Sequence, residues 1–313
     1  MHIINPLQDA LENLQNTVVA IGVFDGVHRG HQEILKQTVR EAKSQGLTPV
    51  VLTFDIHPGE LFAPDQSPSY IASLSQRAVL MDTCGGGIET VAFVRFDKAF
   101  AALSPEAFVS DILETRLGAK HVLVGADFRY GSKRAGSVTT LLEAGAQCGF
   151  TVTVVPPILI HGHRVSSTQI RGLVAGGYLP AALDLLGHPF VVEGIVGYGK
   201  QLGRTLGYPT ANLHPTQHRQ LLPGNGVYAA YAELASGQTV RAAVSVGTNP
   251  TTDTDGGRKV EAFLMDNFAG DLYGQPLSLD FREKVRSEQK FDSLEALVTQ
   301  MALDVAGIAK RLN

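Results

Sequence analysis

The residues best equipped for chemistry lie in one stretch, Gly22-Val23-Phe24-Asp25-Gly26-Val27-His28-Arg29-Gly30-His31. Gly22, Gly26 and Gly30 permit tight turns and let a ligand approach the main chain. His28 and His31 can hydrogen-bond a phosphate whose charge grows in a transition state. Asp25 reads equally well as a ligand contact or as an acceptor for loop amides. Taken alone, two histidines three apart would also suit a surface pair or half a metal site. A zinc ion needs further ligands, however, and no cysteine or matching histidine cluster follows.

A second stretch, Gly194–Leu213, reads GIVGYGKQLGRTLGYPTANL. Gly194, Gly199 and Lys200 nearly match a Walker loop, but Gln201 stands where a Ser or Thr must ligate magnesium, and no helix pattern follows. What remains is a glycine-rich loop whose free amides can cradle phosphate. Gly199, Lys200, Gly203 and Arg204 are its candidate contacts. Thr210 and Asn212, two apart on an extended segment, face the same side. A hydroxyl and an amide oxygen there suit a hard Mg²⁺ ion that keeps water and nucleotide oxygens as its other ligands. Alone, Pro209–Asn212 also reads as a capped turn. A third stretch, Ser166-Ser167-Thr168-Gln169-Ile170-Arg171, sets hydroxyls and amides at a helix start with an arginine one turn on, which suits a triphosphate. By itself it is equally an ordinary helix cap with a solvated arginine.

The elements that must hold these groups differ between the two halves. In the first, strand patterns (Thr17–Val23, Pro49–Phe54, Glu89–Arg95, Lys120–Gly125, Phe150–Val155) alternate with helical ones (Gln32–Gln45, Ser104 towards Leu117, Val138–Gln147). That alternation predicts a parallel sheet with helices on both faces. The His28/His31 stretch then falls at the carboxyl end of the first strand, where a helix begins and anions bind. In the second half, Phe190–Val196, Val227–Leu234, Thr239–Val246, Lys259–Met265 and Leu277–Phe281 are short strand-like runs, predicting an antiparallel sheet or small barrel. A terminal helix follows, with Leu294, Leu297, Val298, Met301, Val305, Ile308 and Leu312 on its apolar face and Asp292 with Glu295 as a capping box. The seam falls near Leu186–Pro189.

Composition narrows the functional class. A length of 313 residues suggests two domains. Lys plus Arg total 26 and Asp plus Glu 30, so the net charge is −4, which argues against a protein that lives on nucleic-acid backbone. Two cysteines, Cys84 and Cys148, far apart, exclude a disulfide scaffold. The first residues, MHIINPLQDALENL, lack the basic start and apolar run of a signal peptide, and no apolar run approaches the ~20 residues of a membrane span. The expectation is a cytoplasmic protein with small-molecule substrates, no nucleic acid and no membrane; a homo-oligomer is left open.

The Gly22–His31 segment resembles the HxGH signature of the nucleotidyltransferase superfamily, in the wording of its flavin-nucleotide branch. Leu123–Gly131 (LVGADFRYG) with Lys133–Gly136 (KRAG), and Ser166–Arg171 (SSTQIR), are similar to that branch's other motifs. The resemblance implies transfer of AMP from ATP to the phosphate of FMN, giving FAD and pyrophosphate. It assigns His28 and His31 to catalysis, and Gly22, Phe24, Asp25, Gly30, Ser166, Ser167, Thr168 and Arg171 to the nucleotide and its phosphates. Asp127 is implied on the flavin side or at a metal, and Phe128 beside the flavin. Lys133 and Arg134 read equally as a solvated turn.

The wording GRTLGYPTANL resembles the riboflavin kinase family, as do Gly226–Ala229, Val246–Thr251, Val260-Glu261, Asp271–Gly274 and Phe281–Phe291, in that family's order. That resemblance implies that Thr210 and Asn212 hold Mg-ATP and that Glu261 is the general base for the ribityl 5′-hydroxyl. It also places Tyr228 near the flavin. Phe263 stands where relatives often carry histidine, Asn267 interrupts an Asp-Phe pair, and Thr252 replaces an aromatic, all in a region that flanks or lines the flavin pocket. The whole chain is thus similar to the bifunctional riboflavin kinase/FAD synthetase family. Expected are a Rossmann-like nucleotidyltransferase α/β domain at residues 1–186 and a small antiparallel β-barrel kinase domain with a terminal helix at 187–313. Mg²⁺ and ATP would serve both sites, with riboflavin, FMN and FAD as substrates and products. The competing readings are one live site only, another phosphate ester as acceptor, or a flavin-binding regulator.

Overall fold

Alternating apolar runs and helices in the first half fold as expected. The computed structural model describes residues 2–4, 14–199, 206–248, 258–266, 268 and 270–312. It divides into two compact units, Met1–Pro68 with Leu74–Ser166, and Ser69–Ser73 with Ser167–Asn313.

The first unit is an all-parallel six-stranded sheet of β1 (His2–Ile4), β2 (Thr17–Ile21), β3 (Thr48–Phe54), β4 (Thr90–Val94), β5 (Ala119–Gly125) and β6 (Thr151–Val155), in the order β1-β4-β3-β2-β5-β6. The order reverses at β2, so a crevice opens at its carboxyl end between β3 and β5. Successive residues of β2 feed opposite cores. Val19 and Ile21 pack with Phe108, Leu113 and Val124 on one face, and Ala20 with Leu35, Met81 and Val91 on the other. Helix α1 (Arg29–Gln45) ends on Gly46, whose φ of 65° gives the left-handed cap that a side chain would strain. Helix α2 (Leu74–Gly85) was not anticipated from the sequence; its buried face consists of Arg77, Ala78, Met81 and Gly85, and the charge breaks the apolar period. The helix expected after Ser104 is α-helical for Pro105–Ala107 and then π-helical over Phe108–Arg116.

In the second unit, helices α3 (Ser167–Gly176) and α4 (Leu179–Leu186) precede a closed antiparallel barrel. Its strands are β7 (Phe190–Gly197), β8 (Thr210–Pro215), β9 (Gly226–Leu234), β10 (Thr239–Gly247), β11 (Lys259–Leu264) and β12 (Pro276–Arg286), in the order β7-β8-β11-β10-β9-β12. The strands largely alternate, and Val192, Ala230, Val244, Ala262, Leu279 and Phe281 fill the interior. Strand β8 (TANLHP) carries too many polar residues to read as a strand from sequence. By packing, residues 167–186 go with the barrel unit, ahead of the seam expected near Leu186–Pro189. The terminal helix α5 (Leu294–Arg311) is capped by Ser293, whose Oγ accepts from the Ala296 amide at 3.1 Å, rather than by the expected Asp292/Glu295 box.

Candidate active sites

Beyond Ile21 the β2 backbone leaves the sheet in a loop with left-handed Phe24 (φ 50°), Gly26 (φ 75°) and Val27 (φ 34°). Positive φ is costly for a β-branched residue, so Val27 marks a loop held in place by its surroundings. The hold is visible. Thr53 Oγ donates to the Val23 carbonyl at 3.1 Å, and the Gln32 side-chain amide donates to the Val27 carbonyl at 2.9 Å. Phe24 and Asp25 are buried at 0% and 2% exposure, so any contact Phe24 makes with a nucleotide runs through its main chain.

The loop delivers the histidine pair. His28 is the N-cap of α1, and its Nδ1 accepts from the His31 amide at 3.3 Å. An accepting Nδ1 leaves the proton of the neutral ring on Nε2, as a donor. The His28 and His31 rings stack at 3.6 Å and 14°. A Cβ on Gly30 would meet the His28 ring at 3.2 Å, so glycine between the histidines is what lets the rings lie together.

The same strand ends floor a cavity of about 900 Å³. Gly22 and Val23 meet Phe54, Phe62, Phe96 and Phe128 there, with His57, Lys98, Asp127, Lys133 and Arg134 among its polar groups. Phe128 stacks on Tyr130 at 5.6 Å, and Phe62 stands 70% exposed at the rim. Of the expected flavin-side residues, Asp127 and Phe128 both line this space, and Asp127 is also paired with Arg164 at 2.8 Å. Lys133 and Arg134 line it too, as exposed side chains on consecutive left-handed residues. His57, Phe62 and Lys98 were not singled out from the sequence. His57-Pro58-Gly59 follows the carboxyl end of β3, and the reasoning that found the β2 loop would have reached it.

Ser166 closes the first unit, while Ser167, Thr168 and Arg171 open α3 in the second. Thr168 is exposed, and Arg171 Nε donates to the Ser69 carbonyl at 2.8 Å, fixing its guanidinium one turn into the helix.

In the barrel, register makes the site. Asn212 of β8 lies opposite Glu261 of β11, which lies opposite Ser245 of β10, and Thr210, Phe263 and Ala243 form the next row. Ala211 and Leu213 point inward, so these rows face outward. The Thr210 hydroxyl donates to Glu261 Oε2 at 3.4 Å. A cavity of about 340 Å³ lies over them, closed on its far side by Leu297, Met301 and Val305 of α5. Arg286 and Asp304 close one end, joined by Nε–Oδ bonds of 2.9 and 3.0 Å. A Cβ on Gly199 would fall 2.2 Å from Asn212 Nδ2, so only glycine allows that loop against the amide. Lys200, Gly203 and Arg204 lie outside the described residues, as do Thr252 and Asn267. Phe263 packs edge-on against Tyr208 at 5.2 Å, giving the cavity an apolar wall where histidine was the family expectation.

Tyr228 is corrected. It was expected beside the flavin, but it is 0% exposed in the barrel interior, against Phe281, and its hydroxyl donates to the Gly224 carbonyl. Burial pushes that hydroxyl up to about 12. A ring so enclosed has no face for a ligand.

The donors at Thr210 and Asn212 are hard oxygens beside a carboxylate, a set that fits Mg²⁺ held jointly with phosphate oxygens. Among the described residues no cluster of three His, Cys, Asp or Glu side chains could hold a metal alone.

Comparison with known proteins agrees with this division. A family model described as FAD synthetase matches residues 10–169, and one described as riboflavin kinase matches 186–312. The bifunctional riboflavin kinase/FMN adenylyltransferase of Escherichia coli K12 is 39% identical over 290 residues, covering 93% of this chain and 91% of that protein. That of Pseudomonas fluorescens is 39% identical over 307 residues, covering 98% and 96%. A solved structure from Streptococcus pneumoniae, described as a macrolide-efflux protein, matches with TM-score 0.83 and 30% identity over 98% of each chain. The efflux description belongs to that protein; no described helix of this chain is long and apolar enough to cross a membrane. With a FAD synthetase half followed by a riboflavin kinase half, the chain belongs to the family of bifunctional riboflavin kinase/FMN adenylyltransferases, which make FMN from riboflavin and FAD from FMN.

Proposed function

We propose that the two reactions use the two cavities described above, with residues 1–186 serving adenylylation and 187–313 serving phosphorylation. The observation that carries the kinase assignment is the outward row Asn212–Glu261–Ser245, with Thr210 hydrogen-bonded to the same carboxylate beneath the 340 Å³ cavity. Glu261 takes the proton of the ribityl 5′-hydroxyl as its oxygen attacks the γ-phosphorus of ATP and ADP leaves. Thr210 and Asn212 hold the nucleotide's phosphate end, with Gly199, Lys200, Gly203 and Arg204 of the preceding loop around it. Thr210 and Asn212 would hold Mg²⁺, which would supply charge neutralisation on the triphosphate.

For adenylylation, an FMN phosphate oxygen attacks the α-phosphorus of ATP and pyrophosphate leaves. His28 and His31 donate to the phosphates, and Gly22, Phe24, Asp25 and Gly30 shape the loop around them. Ser166, Ser167, Thr168 and Arg171 bind the remaining phosphate oxygens. The flavin lies in the 900 Å³ cavity against Phe128, with Asp127 at its edge; the aromatic lining of that cavity supports this. No covalent intermediate is required, so catalysis rests on placing two anions in line. The cytoplasm is the proposed site of action, because both reactions consume ATP.

Incubation of the purified protein with riboflavin, ATP and Mg²⁺, followed by chromatography of the flavins, tests the assignment when run on wild type and Glu261→Ala. The variant is expected to leave riboflavin unchanged yet convert supplied FMN to FAD. Equal loss of both conversions would show that the sites are not separable in this way.

A further inference from the structure

Arg77 is 1% exposed and belongs to none of the motifs. Its Nη1 donates to the carbonyls of Val23 and Phe54, both at 3.0 Å, and its Nη2 to the carbonyl of Asp55 at 3.1 Å. The Val23 carbonyl lies just past the end of β2, the Phe54 carbonyl on the last residue of β3, and the Asp55 carbonyl just beyond it. Strand pairing does not serve them there, since the ladder between the two strands ends at Ile21 and Leu52. The guanidinium carbon lies over the Phe93 ring of β4, 5.7 Å from its centre. Val23 begins the loop that carries His28 and His31. Val23 and Phe54 also line the 900 Å³ cavity. One buried cation thus ties the histidine loop and the cavity floor to a single point, spanning two strands in a way that only a planar fork of donors can match.

We propose that Arg77 is a positioning residue for FAD synthesis: it sets the distance between the histidine loop and the bound FMN by clamping the exits of β2 and β3. The proposal rests on assigning the 900 Å³ cavity to FMN. Arg77 touches neither substrate in this account and acts through the backbone of Val23 and Phe54. Because misplacement of reacting groups by about 1 Å can cost about a hundredfold in rate, the clamp should be read in FAD formation and not in the chain's other activity.

The test is Arg77→Lys and Arg77→Met in the full-length protein, with riboflavin phosphorylation measured on the same preparations as an internal control. Lysine keeps the charge but cannot span both strands. It is expected to lower kcat for FAD formation about tenfold and to raise KM for FMN several-fold, with thermal melting close to wild type and kinase constants within about twofold. Methionine should lower kcat further, about a hundredfold. If it fails to fold, the lysine variant decides. Wild-type FAD kinetics in Arg77→Lys, or a loss that follows the unfolded fraction and disappears well below the melting temperature, would overturn the proposal. Phe128→Ala separates this from the cavity assignment. An unchanged KM for FMN in Phe128→Ala removes FMN from the cavity, whereas a raised KM there beside silent Arg77 variants removes the clamp alone.

Discussion

The two sites of this chain are put together in opposite ways. In the first unit the chemical groups follow one another along ten residues, on a loop whose left-handed Phe24, Gly26 and Val27 could not be extended without moving His28. In the barrel, Thr210 and Asn212 meet Glu261 only because β8 and β11 pair in one register. A slip of one residue there would turn Glu261 into the apolar interior. The loop site depends on what braces it from behind, while the barrel site depends on the sheet itself. Function and stability should therefore separate more easily in the first unit than in the second.

The largest effect that would break this comparison comes from Glu261. Replacing it with alanine removes the only base on its row and should lower FMN formation by about 10²- to 10⁴-fold, leaving FAD formation from supplied FMN within about twofold. Steady-state assays of both reactions on one preparation check this. His28→Ala should do the reverse, lowering FAD formation by about 10²- to 10³-fold with riboflavin phosphorylation intact. Should either variant depress both reactions equally, the separation of the sites is wrong.

These sites were not equally legible in the sequence. The parallel sheet was readable because β2, β3 and β5 each carry an apolar run and alternate with helices, and the HxGH stretch was readable because its groups are contiguous. The row joining Asn212, Glu261 and Ser245 was beyond reach, since pairing between strands far apart in sequence leaves no local trace; resemblance alone pointed to Glu261. Strand β8 was hidden by its polar face, which is the site itself. Helix α2 was hidden by Arg77 on its buried side, and Tyr228 misled because an aromatic in a site motif looks the same whether it faces ligand or core. Lys98 and Phe62 reach the first cavity only through folding.

A smaller effect tests whether the barrel site and barrel stability are coupled. Asp304 and Arg286 form a largely buried pair, with 7% and 17% of their side chains exposed, and Gln300 donates to the same carboxylate at 2.8 Å. Asp304→Asn leaves the guanidinium without its counter-charge, at a cost of about 3 kcal/mol. Calorimetry should show the second unit melting earlier with the first unmoved. Riboflavin phosphorylation should then fail at a lower temperature than in wild type. If its loss on warming follows the wild-type curve, the pair does not support the kinase cavity.

The smallest expected effect is a difference in sign between the units on mild acidification. In the barrel, burial pushes the Asp280 carboxyl up to about 6 against the opposing pull of Arg282, so the folded form holds a proton that the unfolded chain releases near 4. The stabilisation from that proton is present below about pH 4 and is lost as pH rises through about 6. In the first unit, His121 is buried between Gln45 (3.1 Å) and Thr153 (2.8 Å), and burial lowers its pKa despite the nearby carboxylate of Glu41. Folding therefore disfavours its protonation, and that contribution erodes as pH falls below 6.5, the ordinary value for the ring. Between pH 7 and 5 the Asp280 contribution should strengthen the barrel by about 1 kcal/mol, while the His121 contribution weakens the sheet. Subtracting the melting curves of Asp280→Asn and His121→Gln from wild type at each pH isolates the two contributions from the background of other carboxylates. Differences of the same sign would show that the two buried groups do not respond separately.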